Sequence, residues 1–159
     1  MRINFYDTRL EGSQTVLVKE KSMNYTTDKT FSPVEVVKLL NDLTSLNVMG
    51  EEHCYMLALN GKEQLIGIFF ISKGTVNQTF LNPREIFIRA LLIGASFIIL
   101  CHNHPSGSTS PSRTDKIATQ IMKEAGEFIG IPMIDHIIIG RDDYFSFMAK
   151  GLLSKDAEP

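Results

Sequence analysis

Long apolar runs, basic stretches and clustered cysteines are all missing from this chain, and each absence closes a class of function. No apolar segment approaches the roughly 18 residues of a membrane-crossing helix, so no membrane partner is expected. The formal charge is -2 and there is no Lys/Arg run, whereas proteins held by phosphate contacts usually carry a basic face. Nucleic acid is possible as a partner but unsupported by charge. The two cysteines, Cys54 and Cys101, lie in separate apolar segments at no metal-binding spacing, which predicts two reduced buried thiols rather than a disulfide. The start, Met1-Arg2-Ile3-Asn4-Phe5-Tyr6-Asp7, has no apolar signal core, so a cytoplasmic location is expected. Internal repeats and low-complexity segments are absent too. What remains is a chain of 159 residues, 43% hydrophobic and 21% charged, of a size and composition that suit one globular domain.

Punctuation along the chain predicts an α+β or α/β order of elements. Residues 1–31 form an N-terminal extension, with two mixed segments, Arg2 to Tyr6 and Thr15 to Lys19, around Glu11-Gly12-Ser13, which suits a β-hairpin. After a polar link over Thr26 to Phe31, Ser32-Pro33-Val34-Glu35 supplies an N-cap, a first-turn proline and a capping-box glutamate. A helix follows with Val36, Val37, Leu40, Leu43 and Leu46 inward and an end near 47–50. Glu52 to Leu59 and Gln64 to Lys73 read as strands joined at Asn60-Gly61. The segment Ile66 to Ile71 suits a buried central strand better than an interface stripe. Asn82-Pro83-Arg84-Glu85 opens a second helix that stops at Gly94, and Phe97 to Leu100 is a buried strand. Ser112-Arg113-Thr114-Asp115 opens a third helix with Ile117, Ile121, Ala125 and Phe128 inward, closed by Gly130 and Pro132. Met133 to Ile139 and Tyr144 to Phe147 end a main domain of 32–150, and 151–159 is a tail. The whole predicts helices on a mixed β-sheet.

The chemistry concentrates between residues 101 and 115. His102 and His104 are one residue apart at the exit of an apolar strand, so their imidazoles share a side. Asp115 follows a Pro/Gly/Ser loop. Two imidazoles and one carboxylate make three N/O ligands with a fourth position for water, the arrangement of a catalytic zinc, which lowers the pKa of its water towards about 7. A base must then handle the proton. Glu52, at the start of its strand, is the favoured candidate, with Glu51 and Glu85 also available. Ser112 has two readings: an N-cap with Asp115 as its capping-box partner, or a donor to an oxyanion formed on an attacked carbonyl.

Glu52, then His102-x-His104, seven residues to Ser112 and two more to Asp115, is similar to the JAMM motif of MPN-type domains. More narrowly the chain resembles the RadC family. That resemblance rests on His102-Asn103-His104-Pro105-Ser106-Gly107, Pro111-Ser112 with Asp115, Asn82-Pro83-Arg84-Glu85, Lys73-Gly74-Thr75 and Asp135-His136-Ile137-Ile138. It covers roughly residues 32 to 148, and departs from the family at the Asn-Gly turn, where Asn60 stands for a frequent Asp. It implies a JAMM/cytidine-deaminase-like three-layer sandwich, one zinc per chain on His102, His104 and Asp115, general acid/base work by Glu52 and an oxyanion role for Ser112. It further implies a peptidase or isopeptidase acting on a peptide or protein substrate. The alternative is a RadC-type binding module in DNA repair or mobile-element biology. Longer family members carry a helix-hairpin-helix region, for which residues 1–31 are too short and too strand-like. The absence of a Pro-Cys-x-x-Cys pattern disfavours a zinc deaminase, and a single loop carboxylate disfavours a two-metal nuclease.

Other residues read as structural. His136 is expected to be hydrogen-bonded in the core or behind a ligand. His53 and Asn103 alternate away from Glu52 and from the histidines, Cys101 is core, and Pro105, Ser106 and Gly107 shape the loop. Oligomeric state is not encoded in any of these signals.

Overall fold

The computed structural model describes residues 1–26, 32–74 and 81–153. The polar link beyond Thr26, Thr75 of the Lys73-Gly74-Thr75 motif and tail residues 154–159 lie outside the described residues. Seven strands form one mixed sheet in the order β2-β1-β4-β3-β5-β6-β7. They are β1 Arg2–Glu11, β2 Gln14–Asn24, β3 His53–Leu59, β4 Leu65–Lys73, β5 Phe97–Asn103, β6 Met133–Ile139 and β7 Tyr144–Ser146. The helices are α1 Pro33–Thr44, α2 Pro83–Ile93 and α3 Arg113–Ile129. Val36, Leu39 and Leu40 of α1 pack with Leu57, Leu59, Ile99 and Cys101 on one face. Ile86, Phe87 and Ala90 of α2 and Met122 of α3 pack with Met56, Ala58, Ile98 and Leu100 on the other. Strand alternation sorts these side chains into two cores, so the layers are helix, sheet, helices.

The N-terminal hairpin extends this same sheet. Its strands are longer than the sequence suggests, its turn uses Gly12 at φ +62°, and β1 pairs in parallel with β4 through Phe5↔Ile68 and Tyr6↔Phe69. Thus β4 lies between β1 and β3, in the interior of the sheet, but the expected burial holds only for Gly67, Ile68 and Phe69, while Ile66 and Ile71 are half-buried and Phe70 is 42% exposed.

Three local expectations are corrected. Helix α1 stops at Thr44, because Ser45 turns left-handed at φ 56°, and Leu46 is buried from a short 3-10 turn, Leu46–Val48. The β3–β4 connection is wider than a two-residue Asn-Gly turn. Asn60 Oδ1 accepts from the amides of Lys62 and Gln64, and the left-handed residue is Glu63 rather than Gly61. The third correction bears on function: α3 does not turn Ile117, Ile121 and Phe128 inward. They are exposed, Phe128 at 92%, while Thr119, Met122, Lys123 and Gly126 are buried and Ala125 is half-buried. Asp115, Thr119, Met122 and Gly126 recur at helical spacing, so the face that carries Asp115 is also the face that meets the sheet. Gly126 permits this close approach, since a Cβ there would sit 2.7 Å from the Ile131 carbonyl oxygen. An alanine would gain about 1 kcal/mol of helix propensity, which is outweighed by about 1–3 kcal/mol of overpacking against backbone.

Candidate metal centre

Strand β5 and helix α3 form a βαβ unit with β6, and the candidate site lies at the carboxyl end of β5, beside the α3 N-terminus. Open α/β sheets place ligands at such ends. His102 is buried within the last residues of β5. His104 lies just beyond the strand, with its amide donating to the Ile139 carbonyl at 2.9 Å. The loop then turns: Gly107 N donates to the His104 carbonyl at 2.9 Å, with Gly107 at φ +82°. Gly140 lets this loop lie against the β6–β7 turn, since a Cβ there would sit 2.6 Å from the Gly107 carbonyl oxygen.

Ser112 caps α3. Its Oγ accepts from Asp115 N at 3.0 Å, and Asp115 Oδ2 accepts from Ser112 N at 2.7 Å. The capping reading of Ser-x-x-Asp is therefore realised in full, with aspartate in the place usually taken by Glu or Gln. The box fixes the Asp115 rotamer, and the carboxylate faces both imidazoles. His102 Nε2 to Asp115 Oδ1 and His104 Nε2 to Asp115 Oδ2 are each 3.3 Å, and the two Nε2 atoms are 3.1 Å apart. Burial works against the Asp115 charge, yet hydrogen bonds from His102, His104 and Ser112 outweigh it and hold the carboxyl far below its usual pKa. The hydrogen bond to Asp115 raises His104, with burial opposing and the Ser108 carbonyl and the Glu52 charge assisting.

Do these residues fit zinc? A tetrahedral ion with Zn–N and Zn–O bonds of about 2.0–2.1 Å holds its ligand atoms roughly 3.3–3.4 Å apart. The two Nε2 atoms are 3.1 Å apart and each has its own carboxylate oxygen at 3.3 Å, spacings of the size such an ion requires, and one donor atom from each residue lies within 4.8 Å of the other two. The tautomer of His104 fits as well. Its Nδ1 lies 2.8 Å from the Ser108 carbonyl, which can only accept, so Nδ1 carries the proton and the neutral ring offers Nε2 to an ion. His102, His104 and Asp115 are thus a His-His-Asp triad that can hold a metal.

Glu52 immediately precedes β3 and is 8% exposed, and its charge is felt at His104. The rival carboxylates are engaged elsewhere. Glu51 pairs with Lys73, and Glu85 pairs with Arg84 and Arg89 on α2, lining a shallow surface hollow with Thr8 and Arg9. The Glu52 segment is held by Asn103, a residue that sequence reasoning assigned no task. Buried at 1% exposure, Asn103 accepts from His53 N at 2.7 Å and donates to the carbonyls of Met49 and Glu51 at 3.3 and 3.1 Å. Gly74 N donates to the Glu52 carbonyl at 2.8 Å. The only sequence signal was an amide side chain between two histidines at a strand end. His53 binds its Nδ1 to the Glu51 carbonyl and packs on Phe70, a structural role as expected.

His136 lies directly behind the triad, fully buried and stacked on Phe147. Its Nε2 is 2.9 Å from His102 Nδ1, and its Nδ1 is 2.7 Å from Thr119 Oγ1. Burial, then the neighbouring His102, hold it well below the ordinary histidine pKa. The preceding residue, Asp135, faces the opposite way. It accepts from His136 N, Met148 N and Ser146 Oγ, and so braces the turn that carries Phe147. Burial raises its pKa against those bonds. Cys54 and Cys101 are free and buried, their thiols pushed up first by desolvation, so neither is a poised nucleophile.

A three-layer mixed sheet with a His-His-Asp triad at the end of an inner strand defines a JAB/MPN-like domain. The chain belongs to the RadC family: the model described as a RadC-like JAB domain matches residues 30–152. Similar proteins include the UPF0758 protein of Clostridium acetobutylicum, 42% identical over 125 residues, which are 79% of this chain and 54% of the relative. The UPF0758 protein of Pelobacter propionicus is 44% identical over 102 residues, covering 64% and 44%. That of Chlorobium chlorochromatii is 46% identical over 103 residues, covering 65% and 46%. The chain spans about half the length of these curated relatives. No described helix is long and apolar enough to cross a membrane.

Proposed function

We propose that this domain is a zinc-dependent metallohydrolase of the JAMM type, a peptidase or isopeptidase that cleaves an amide bond in a peptide or protein substrate. The observation that carries the reading is the triad itself: two imidazole Nε2 atoms 3.1 Å apart, each 3.3 Å from an oxygen of one carboxylate, one imidazole with its Nδ1 committed to a carbonyl, and a buried glutamate whose charge reaches His104. Zinc at His102, His104 and Asp115 would supply Lewis acidity and an acidified water. The chain's own residues do the rest. Glu52 takes the proton of the attacking water and returns it to the departing amine, work typically worth about 10²–10⁴ in rate. Ser112, at the rim of the triad, donates its hydroxyl to the oxygen that gains charge on the attacked carbonyl.

Metal analysis of the purified protein should give about one zinc per chain. Folded protein that takes up no metal even after zinc supplementation would sink the reading. Glu52→Gln should keep the metal, lose turnover and accumulate uncleaved peptides or conjugates in a proteome-wide comparison. A fully active Glu52→Gln variant would remove the acid/base assignment.

A further inference from the structure

Behind the triad, hydrogen bonds run from the Asp115 main chain through Thr119 and His136 to His102, and each has only one possible direction. Thr119 Oγ1 lies 2.6 Å from the Asp115 carbonyl oxygen. Two oxygens at that distance repel unless a proton sits between them, and a carbonyl has none to give. The hydroxyl proton therefore points at Asp115 O. The same hydroxyl is 2.7 Å from His136 Nδ1, and its single proton is already committed, so His136 Nδ1 must be the donor.

His136 is fully buried, stacked on Phe147, and bonded only to a hydroxyl and another imidazole. An imidazolium there would be a buried charge with no carboxylate in hydrogen-bond contact, which is far costlier than a neutral ring. The neutral ring carries its one proton on Nδ1, which leaves Nε2 bare. The 2.9 Å contact to His102 then has one solution: His102 Nδ1 donates.

We propose that Thr119 and His136 are positioning residues, a directed relay that holds His102 as its Nδ1–H tautomer and keeps its Nε2 lone pair aimed into the triad. The proposal rests on the metal-centre reading for its purpose, though its hydrogen-bond logic stands without it. The consequence for the triad is chemical. The Ser108 carbonyl fixes His104 in the same tautomer. Once both rings are neutral and neither lends Asp115 a proton, two bare Nε2 atoms 3.1 Å apart face two carboxylate oxygens at 3.3 Å, four acceptors with no hydrogen between them. Such a cluster calls for a cation, a proton in the metal-free protein or a metal ion in its place. The relay also joins two members of the triad, since it starts on the main chain of Asp115 and ends on the ring of His102.

The test uses nitrogen NMR of the imidazoles together with zinc affinity, measured by competition with a chromophoric chelator. In the metal-free parent at mildly alkaline pH, His102 and His136 should both appear as Nδ1–H tautomers. Thr119→Val removes the hydroxyl, so His136 should move towards Nε2–H, His102 should follow, and zinc affinity should fall about 10–100-fold. Thr119→Ser should restore both tautomers and most of the affinity, which a packing role for the threonine methyl would not predict. An Nε2–H tautomer on either ring of the parent overturns the proposal. So does a Thr119→Val variant with parental tautomers and affinity. A parent with both rings as Nδ1–H but no zinc affinity supports the relay and overturns the metal-centre reading instead. If Thr119→Val fails to fold, the parent spectrum and Thr119→Ser still decide.

Discussion

Helices α1 and α3 begin with the same local structure and are put to different uses. In α1, Ser32 Oγ accepts from Glu35 N at 3.4 Å and Glu35 Oε2 accepts from Ser32 N at 3.2 Å; in α3 the matching bonds between Ser112 and Asp115 are 3.0 and 2.7 Å. Both boxes satisfy amides that a helix start leaves unpaired. The Glu35 carboxylate turns back on Ser32 a second time, through the hydroxyl. The Asp115 carboxylate, on a side chain one methylene shorter, stands 3.3 Å from two imidazoles. A capping box is thus chemically neutral. What it becomes depends on what the tertiary fold sets opposite, and β5 sets His102 and His104 opposite α3.

The sharpest way to break this contrast is to delete each carboxylate in turn. Asp115→Ala should reduce zinc affinity by more than the ~10–100-fold expected for an outer partner, and His104→Ala should do the same. Glu35→Ala should leave zinc content at the parental level by metal analysis, and a loss there would show that the two helix starts are coupled.

A smaller effect should appear in the pH dependence of the metal-free protein. The folded-state pKa of Asp115 is depressed, so its contribution to stability is present above its unfolded value of about 3.9 and lost as pH falls through the folded value. His104 is raised, chiefly by Asp115, so its contribution is full below about 6.5 and lost as pH rises through the folded value. The melting-temperature difference between the parent and Asp115→Asn should therefore be greatest between about pH 4 and 6.5 and shrink on either side. Melts from pH 3 to 9 with a constant difference would refute the ion-pair account.

The smallest expected effect tests what the two boxes share. Ser32→Ala and Ser112→Ala should each cost about 1 kcal/mol in denaturant unfolding. Only Ser112→Ala should also slow turnover, and equal activity of the two would remove the oxyanion assignment.

Much of this was legible in the sequence because it is local. Caps at Ser32, Asn82 and Ser112, the stops at Gly94 and Gly130 and the His-x-His spacing depend on neighbours in the chain, and all are found where the residues predict. Hydrophobicity alone misplaces the inner face of α3, because it favours Ile117, Ile121 and Phe128. The helix is instead rotated by Asp115 at one end and the bare backbone of Gly126 at the other, neither of which adds apolar signal. The hydrogen bonds of Thr119 and Asn103 could not be read from chain neighbours either. Their partners lie 17 and about 50 residues away, and only the pairing of β5 with β3 and β6 brings them together.

Asn103 also bears on how such a domain can vary. Because this one amide ties the chain at Met49, Glu51 and His53 to the end of β5, the position of Glu52 is set by a local graft rather than by the fifty residues that separate it from the histidines. The β3–β4 turn lies at the opposite end of these strands, beside Ser96 and Phe97, so a change in its length leaves this tie and the triad where they are. The fifty residues between Glu52 and the histidines thus say nothing of their distance in space, and the side chain that closes the gap is an asparagine.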